Sequence, residues 1–306
     1  MSSHSQPYKL VFYTIIILAL VVFSLQLIRQ VGSIHVISPL ASEKKPPSLN
    51  FFAKPPQDLT TLVTEIKKIT DKEKGMYSVY IYDISKQTGA GFNERVILNG
   101  ASVNKIAILA ALYFEAQTQT VDLDQRITVQ PSDIQDYGTG IIRNEGPGGV
   151  YSVKTLAQLM MTKSDNTATF ILSNLVDGNK IQELVTSWGL SQTDMANNKT
   201  SNQDMALLLT KMYRGQIASN ALTVEMFGFM TNSDFENRLP ALLPKTVSVY
   251  HKIGSEIGNL HDVGIIDAGA HPYYIGIMTN DITDEAATES VMAQVSKLVY
   301  DYMVKQ

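Results

Sequence analysis

The 306-residue chain has no cysteine. That absence excludes a disulfide framework, a thiolate metal site, a cysteine nucleophile and a lipid anchor on cysteine. It leaves the redox compartment open. A basic excess is also missing: 25 Lys and Arg stand against 29 Asp and Glu, for a net charge of −4. Too few cations remain to neutralise a phosphate backbone, so no nucleic acid is expected as partner. Histidine is scarce, 5 residues without metal-ligand spacing, and neither a metal nor another cofactor is expected. What the chain does have is apolar. With 44% hydrophobic and 18% charged residues it can bury a sizeable core, which excludes disorder throughout.

The apolar content is uneven. Leu10 to Ile28 reads LVFYTIIILALVVFSLQLI without a charge. As a helix this run is about 28 Å long and matches a bilayer core. A cleaved signal peptide has a shorter apolar region and a small-residue cleavage site directly after it. The reading is a single transmembrane anchor at 10–28 behind a short tail at 1–9. Lys9 lies before it, and Arg29, Lys44 and Lys45 after it, so charge does not set its orientation. Residues 29–58 carry Pro39, Pro46, Pro47, Pro55 and Pro56 and predict an extended tether. The folded domain is then 59–306.

Within that domain, Leu59, Leu62, Ile66 and Ile69 recur at helical spacing, and Tyr77 to Ile84 alternates like a strand. A second strand returns through Gly91 and Phe92. Ser102 to Ala116 is apolar nearly all round and predicts a buried helix. Ser152 marks the cap of a helix through Leu156, Leu159 and Met160, and another helix follows from Thr167. Ser201 and Asp204 have the spacing of a capping box. Three strands are expected at Val247–Ile253, Gly264–Ala268 and Tyr273–Thr279, and a closing helix at Glu285–Val304. Strands at both ends with helices between them give an α+β class, an antiparallel sheet flanked by helices.

Three short motifs carry chemistry. Ser102-Val103-Asn104-Lys105 places a hydroxyl and an ammonium one helical turn apart. A buried lysine has its pKa lowered by desolvation, and its neutral amine can act as base towards a serine. Alone the pattern is weak, because Ser42-Glu43-Lys44-Lys45 in the tether fits it too. Ser164-Asp165-Asn166 lies between two helices. It offers a hydroxyl to relay a proton and an amide to hold the lysine, or simply a helix cap. Lys252-Ile253-Gly254-Ser255 ends a strand, where the lysine supplies positive potential and the glycine admits a substrate backbone. One shared site explains all three in this order better than three coincidences.

In these motifs the chain resembles the penicillin-recognising serine hydrolases, and class A β-lactamases in particular, from about Leu59 to the C-terminus. The segment SDNTATFIL is similar to the family's SDN segment and its following helix, and Tyr137 stands where the family often has an aromatic rim residue. The resemblance implies that Ser102 is the acylated nucleophile and Lys105 its base. It implies that Ser164 relays a proton to the leaving nitrogen and that Asn166 orients Lys105 and substrate. Lys252 would attract the substrate carboxylate, with Gly254 beside it. The N–H groups of Ser102 and Ser255 would form an oxyanion hole.

Three departures stand out. The stretch Gly189 to Ser201 lacks the family's deacylating glutamate and is short. Asp194 is its only carboxylate, and Glu183 and Glu145 read as surface charges. Ile253 replaces a hydroxyl residue, with Ser255 two positions on as the compensating group. The HDVGII stretch lacks the arginine that pairs with the substrate carboxylate, leaving His261 or His251 as candidates to assist. With the anchor read at 10–28, the resemblance implies an extracytoplasmic, membrane-held serine hydrolase acting on β-lactam amides. Two alternatives stay open: a D-alanyl-D-alanine carboxypeptidase or transpeptidase on cell-wall peptides, and a slowly deacylating sensor.

Overall fold

The computed structural model describes residues 59–304. The expected anchor and tether lie outside the described residues. Among the described ones, no helix is long and apolar enough to cross a membrane.

Five strands form the sheet: β1 (Met76–Asp83), β2 (Thr88–Phe92), β3 (Ser248–Glu256), β4 (Asn259–Asp267) and β5 (Tyr273–Asn280). Their order is β2-β1-β5-β4-β3, and every pairing is antiparallel. The class is therefore α+β, as the sequence predicts. Alternation sorts the side chains into two layers. Val79, Ile81, Ile275 and Ile277 face a core shared with Leu62 and Ile66 of α1 (Leu59–Thr70) and with the chain's last helix. Tyr80, Tyr82, Tyr274 and Met278 face the larger helical core.

Seven further helices of nine residues or more follow among the described residues: α2 (Lys105–Gln117), α3 (Val153–Thr162), α4 (Asn166–Val176), α5 (Gly178–Ser187), α6 (Asn202–Tyr213), α7 (Asn220–Gly228) and α8 (Glu285–Met303). Residues Lys105 to Tyr113 are buried without a break, so α2 is the axis around which the helical layer packs. Each large apolar side chain so buried contributes about 1.5–3 kcal/mol relative to exposure.

The structure departs from the sequence reading at three boundaries. The helix expected from Ser102 begins as a 3₁₀ turn, Ala101–Asn104, and becomes α-helical at Lys105. Such a tight first turn is common at helix starts. Strands β3 and β4 run longer than expected, because the hairpin pairs down to Glu256 and Asn259. Ladder bonds come from the backbone, so polar side chains do not end them. Ser201 accepts from the Asp204 N–H at 3.1 Å, but Asp204 turns to the Gln192 N–H and the Thr193 hydroxyl, so only half a capping box forms.

Candidate active site

A cleft of about 400 Å³ opens where edge strand β3 meets the start of α2 and the α3–α4 connection. Ser102, Lys105, Asn166, Tyr137 and Ser255 line it. Ser164 and Lys252 lie just beneath and are almost fully buried.

The Ser102 turn is braced on both sides. Ala101 has φ +44, a left-handed conformation that costs a non-glycine residue about 1 kcal/mol. Its N–H donates to Asn99 Oδ1 at 2.9 Å, and the Gly100 N–H donates to the Asn198 carbonyl at 2.6 Å. The Asn198 amide donates to Asn99 Oδ1 and to the Ala101 carbonyl, at 3.3 and 3.2 Å, and accepts from Asn104 Nδ2 at 2.7 Å. Strand β3 passes close by. A Cβ on Gly254 would stand 3.1 Å from Ala101 Cβ and 3.2 Å from the Gly100 carbonyl. The glycine thus lets the strand approach the Ser102 turn rather than only a substrate.

Lys105 reaches the Ser164 segment. Its Nζ lies 2.6 Å from the Ser164 carbonyl, 2.8 Å from Asn166 Oδ1 and 3.1 Å from Ser164 Oγ. Burial lowers its pKa to about 7, against a smaller opposing pull from Asp165. The three oxygens match the three donors of an ammonium, and they suit the neutral amine as well. Two carbonyl-type acceptors take its two N–H groups, and the lone pair is left for a hydroxyl proton. Lys252 Nζ donates to the same Ser164 Oγ at 3.0 Å and to the Ile253 carbonyl at 3.2 Å. Burial pushes its pKa well down, and Lys105 pushes it further. Ser164 Oγ thus bridges two amines, and it sits on a residue with φ +51.

The Ser164 segment is held from outside by residues 137–142. Asp165 caps α4 through the Ala168 N–H and also accepts from the Ile141 and Ile142 N–H groups. Asn166 donates to the Tyr137 carbonyl, and Thr139 Oγ1 donates to the Ser164 carbonyl. Gly138 has φ +69, and a Cβ there would collide with Asn166 Nδ2. The side chain of Tyr137 is 63% exposed at the rim.

Two expectations need correction. Neither His251 nor His261 reaches the cleft. His261 is fully buried, with Nε2 against the Asn99 carbonyl and Nδ1 accepting from the Thr279 N–H. His251 is buried between Asp262 and Glu236. The cation at this end of the cleft is instead Arg238, from the irregular segment before β3. It donates to Ser255 Oγ at 2.7 Å, to the Gly254 and His261 carbonyls at 3.1 and 2.9 Å, and pairs with Glu289 at 3.2 Å. A single arginine in FENRLP gives no periodic signal, so the sequence did not mark it. Ile253 is buried and supplies no hydroxyl. Ser255, on the cleft wall, does.

The stretch between α5 and α6 carries no carboxylate to Ser102. Asp194 bridges to Lys199 and holds the Asn197 amide and N–H. Met195 lines the cleft in that stretch. Glu256, at the hairpin, is the one carboxylate on the cleft wall among the described residues, and it accepts from Asn99 Nδ2. Glu183 and Glu145 are exposed, as expected.

Residues 61–303 match the Beta-lactamase enzyme family. The chain belongs to that family. It is accordingly a serine hydrolase of the β-lactamase type. It is 21% identical over 274 residues to beta-lactamase VEB-1 of Pseudomonas aeruginosa, across 80% of this chain and 91% of that one. The solved structure of PBP-A superposes with a TM-score of 0.75 at 26% identity, covering 83% of this chain and 99% of PBP-A. A PBP-A mutant, solved as an acyl-enzyme complex with penicillin G, superposes equally well. The TLA-1 extended-spectrum beta-lactamase shares the fold at a TM-score of 0.76 and 21% identity, over 81% of this chain and all of that one. This β-lactamase-family chain thus keeps the three motif segments together and presents no carboxylate to the cleft from the stretch before α6.

Proposed function

We propose that β-lactam amides acylate Ser102 and that the acyl group leaves slowly. The observation that carries this is the Lys105 amine, buried against the Ser164 carbonyl and Asn166 Oδ1 one turn from Ser102, with its pKa lowered by burial to about 7. The Ser102 Oγ–H proton passes to Lys105 Nζ as Oγ bonds to the amide carbon. The carbon–nitrogen bond then breaks, and the proton travels from Lys105 through the Ser164 hydroxyl to the leaving nitrogen. The N–H groups of Ser102 and Ser255 stabilise the developing oxyanion, each such donor being worth on the order of 3 kcal/mol. Lys252, with the Ser255 hydroxyl oriented by Arg238, receives the substrate carboxylate, whose charge offsets the cost of burying an ammonium there. Asn166, at the cleft wall, holds Lys105 and faces the substrate amide.

Slow release follows from the stretch before α6, which brings Met195 and Asn198 to the cleft and no carboxylate to serve as base towards a water. This favours a penicillin-binding enzyme of the carboxypeptidase or transpeptidase kind, or a sensor, over an efficient β-lactamase. The penicillin G acyl-enzyme of the PBP-A mutant supports the acylation half of this reading. The uncharged run at 10–28 and the proline-rich 29–58 suit an enzyme anchored in the cell membrane with its domain outside, within reach of wall peptides.

The test uses the full chain with penicillin G and a chromogenic cephalosporin, followed by intact mass. An adduct that persists for many minutes, and is absent in Ser102→Ala, is the expected result. Rapid multiple turnover would overturn slow release, and absence of any adduct would overturn the acyl-enzyme itself. Membrane fractionation of the chain with and without residues 1–28 tests the anchor.

A further inference from the structure

On the face of β3 opposite Lys252, His251 is enclosed by two carboxylates. Its Nδ1 lies 2.8 Å from Asp262 Oδ1, and its Nε2 lies 3.3 Å from Glu236 Oε1. The imidazole is wholly buried, and so is Asp262. Both ring nitrogens face acceptors, so the ring satisfies them only as an imidazolium with two N–H donors. Glu236 and Asp262 each also hold backbone of the 233–239 segment: Glu236 accepts from the Ser233 N–H at 2.8 Å, and Asp262 Oδ2 accepts from the Leu239 N–H at 3.0 Å. Arg238 lies between these two attachment points, and its guanidinium meets Ser255.

We propose that His251 is a positioning residue that fastens the 233–239 segment to the sheet and so holds Arg238 against the Ser255 hydroxyl at the mouth of the cleft. The part of this that concerns substrate recognition rests on the reading of the cleft given above. Burial disfavours a charged ring, but Asp262 and Glu236 outweigh it and raise the pKa to about 9. The other cations nearby, Lys252 and Arg238, point away to Ser164 and to Ser255. Above about pH 9 the ring loses a proton, one carboxylate loses its donor, and the segment loosens.

Two variants probe the arrangement. Glu236→Gln weakens the solvent-facing arm and leaves the buried His251–Asp262 pair, so the chain folds. His251→Asn cuts one arm and weakens the other. Hydrogen exchange at the Leu239 N–H is expected to rise about threefold in the first and about tenfold in the second. Nitrogen-15 spectra should show both His251 ring nitrogens protonated at pH 8 in the parent protein. Acylation by penicillin G should fall about fivefold in Glu236→Gln, while acylation by its methyl ester, which lacks the carboxylate, is unchanged. A neutral ring at pH 8, unchanged exchange at Leu239, or equal losses on acid and ester would each overturn the proposal. If the parent protein forms no penicilloyl adduct, the acyl-enzyme reading fails, and exchange and ring protonation still decide whether His251 fastens the segment.

Discussion

Lys105 Nζ meets three oxygens, and loss of one proton leaves it a lone pair that can take a hydroxyl proton. Its pKa near 7 means that the reactive fraction grows as pH rises through that value. Acylation by penicillin G should therefore climb about tenfold from pH 6 to pH 8 and then level off. Stopped-flow adduct formation measures this, and a flat profile would remove Lys105 as base. Lys105→Met keeps the bulk and should slow acylation about 10²–10⁴-fold. His251 titrates in the opposite sense for stability. Its folded pKa is raised from 6.5 to about 9, so its contribution is complete below 6.5 and is lost as pH rises through about 9. Thermal melts should show a decline across that window that is shallower in Glu236→Gln. Identical slopes in both proteins would contradict the charged ring.

Elements place these side chains through their ends rather than their middles. Ser102, Ser164 and Asn198 all lie where a helix or loop turns, and Ala101, Ser164 and Asn198 all have positive φ. Asn198 is the brace with the clearest consequence. Its amide joins the Asn99–Ala101 turn to Asn104 on the other side of Ser102. Asn198→Ala removes three hydrogen bonds from a half-buried site and should cost about 1–3 kcal/mol, a fall of several degrees in Tm. Acylation should slow more than stability alone explains, because the Ser102 turn loses its fixed position. A Tm drop with normal acylation would show that the turn holds itself. Much of this level was legible beforehand. Alternation fixed β1, caps at Ser152 and Ser201 fixed helix starts, and the spacing of Ser102 and Lys105 fixed their common side. The brace was not legible, since Asn198 acts through contacts with residues about a hundred positions away. Arg238 was missed for the same reason: it lies in an irregular segment, and nothing local ties it to Ser255.

At the scale of the whole molecule, the site exists because two layers meet. The helical layer supplies Ser102, Lys105 and Ser164, and the edge of the sheet supplies Lys252 and Ser255. In the proposed reaction, acylation draws on both layers, whereas removal of the acyl group depends on the connection between α5 and α6. That connection is short, and it presents Met195 and Asn198 to the cleft. A carboxylate there would stand on the cleft wall that Ser102 shares, able to take a proton from a water attacking the ester. Met195 is only half-buried, so a charged replacement keeps access to solvent and the fold tolerates it. Met195→Glu is expected to shorten the lifetime of the penicilloyl adduct about 10²-fold, the usual contribution of a positioned general base, while the rate of its formation changes little. Intact mass after rapid removal of free penicillin reads the lifetime directly, and Met195→Gln serves as the isosteric control. If Glu and Gln give the same lifetime, a base at this position does not limit release, and the division of labour between the two layers and the connection is wrong.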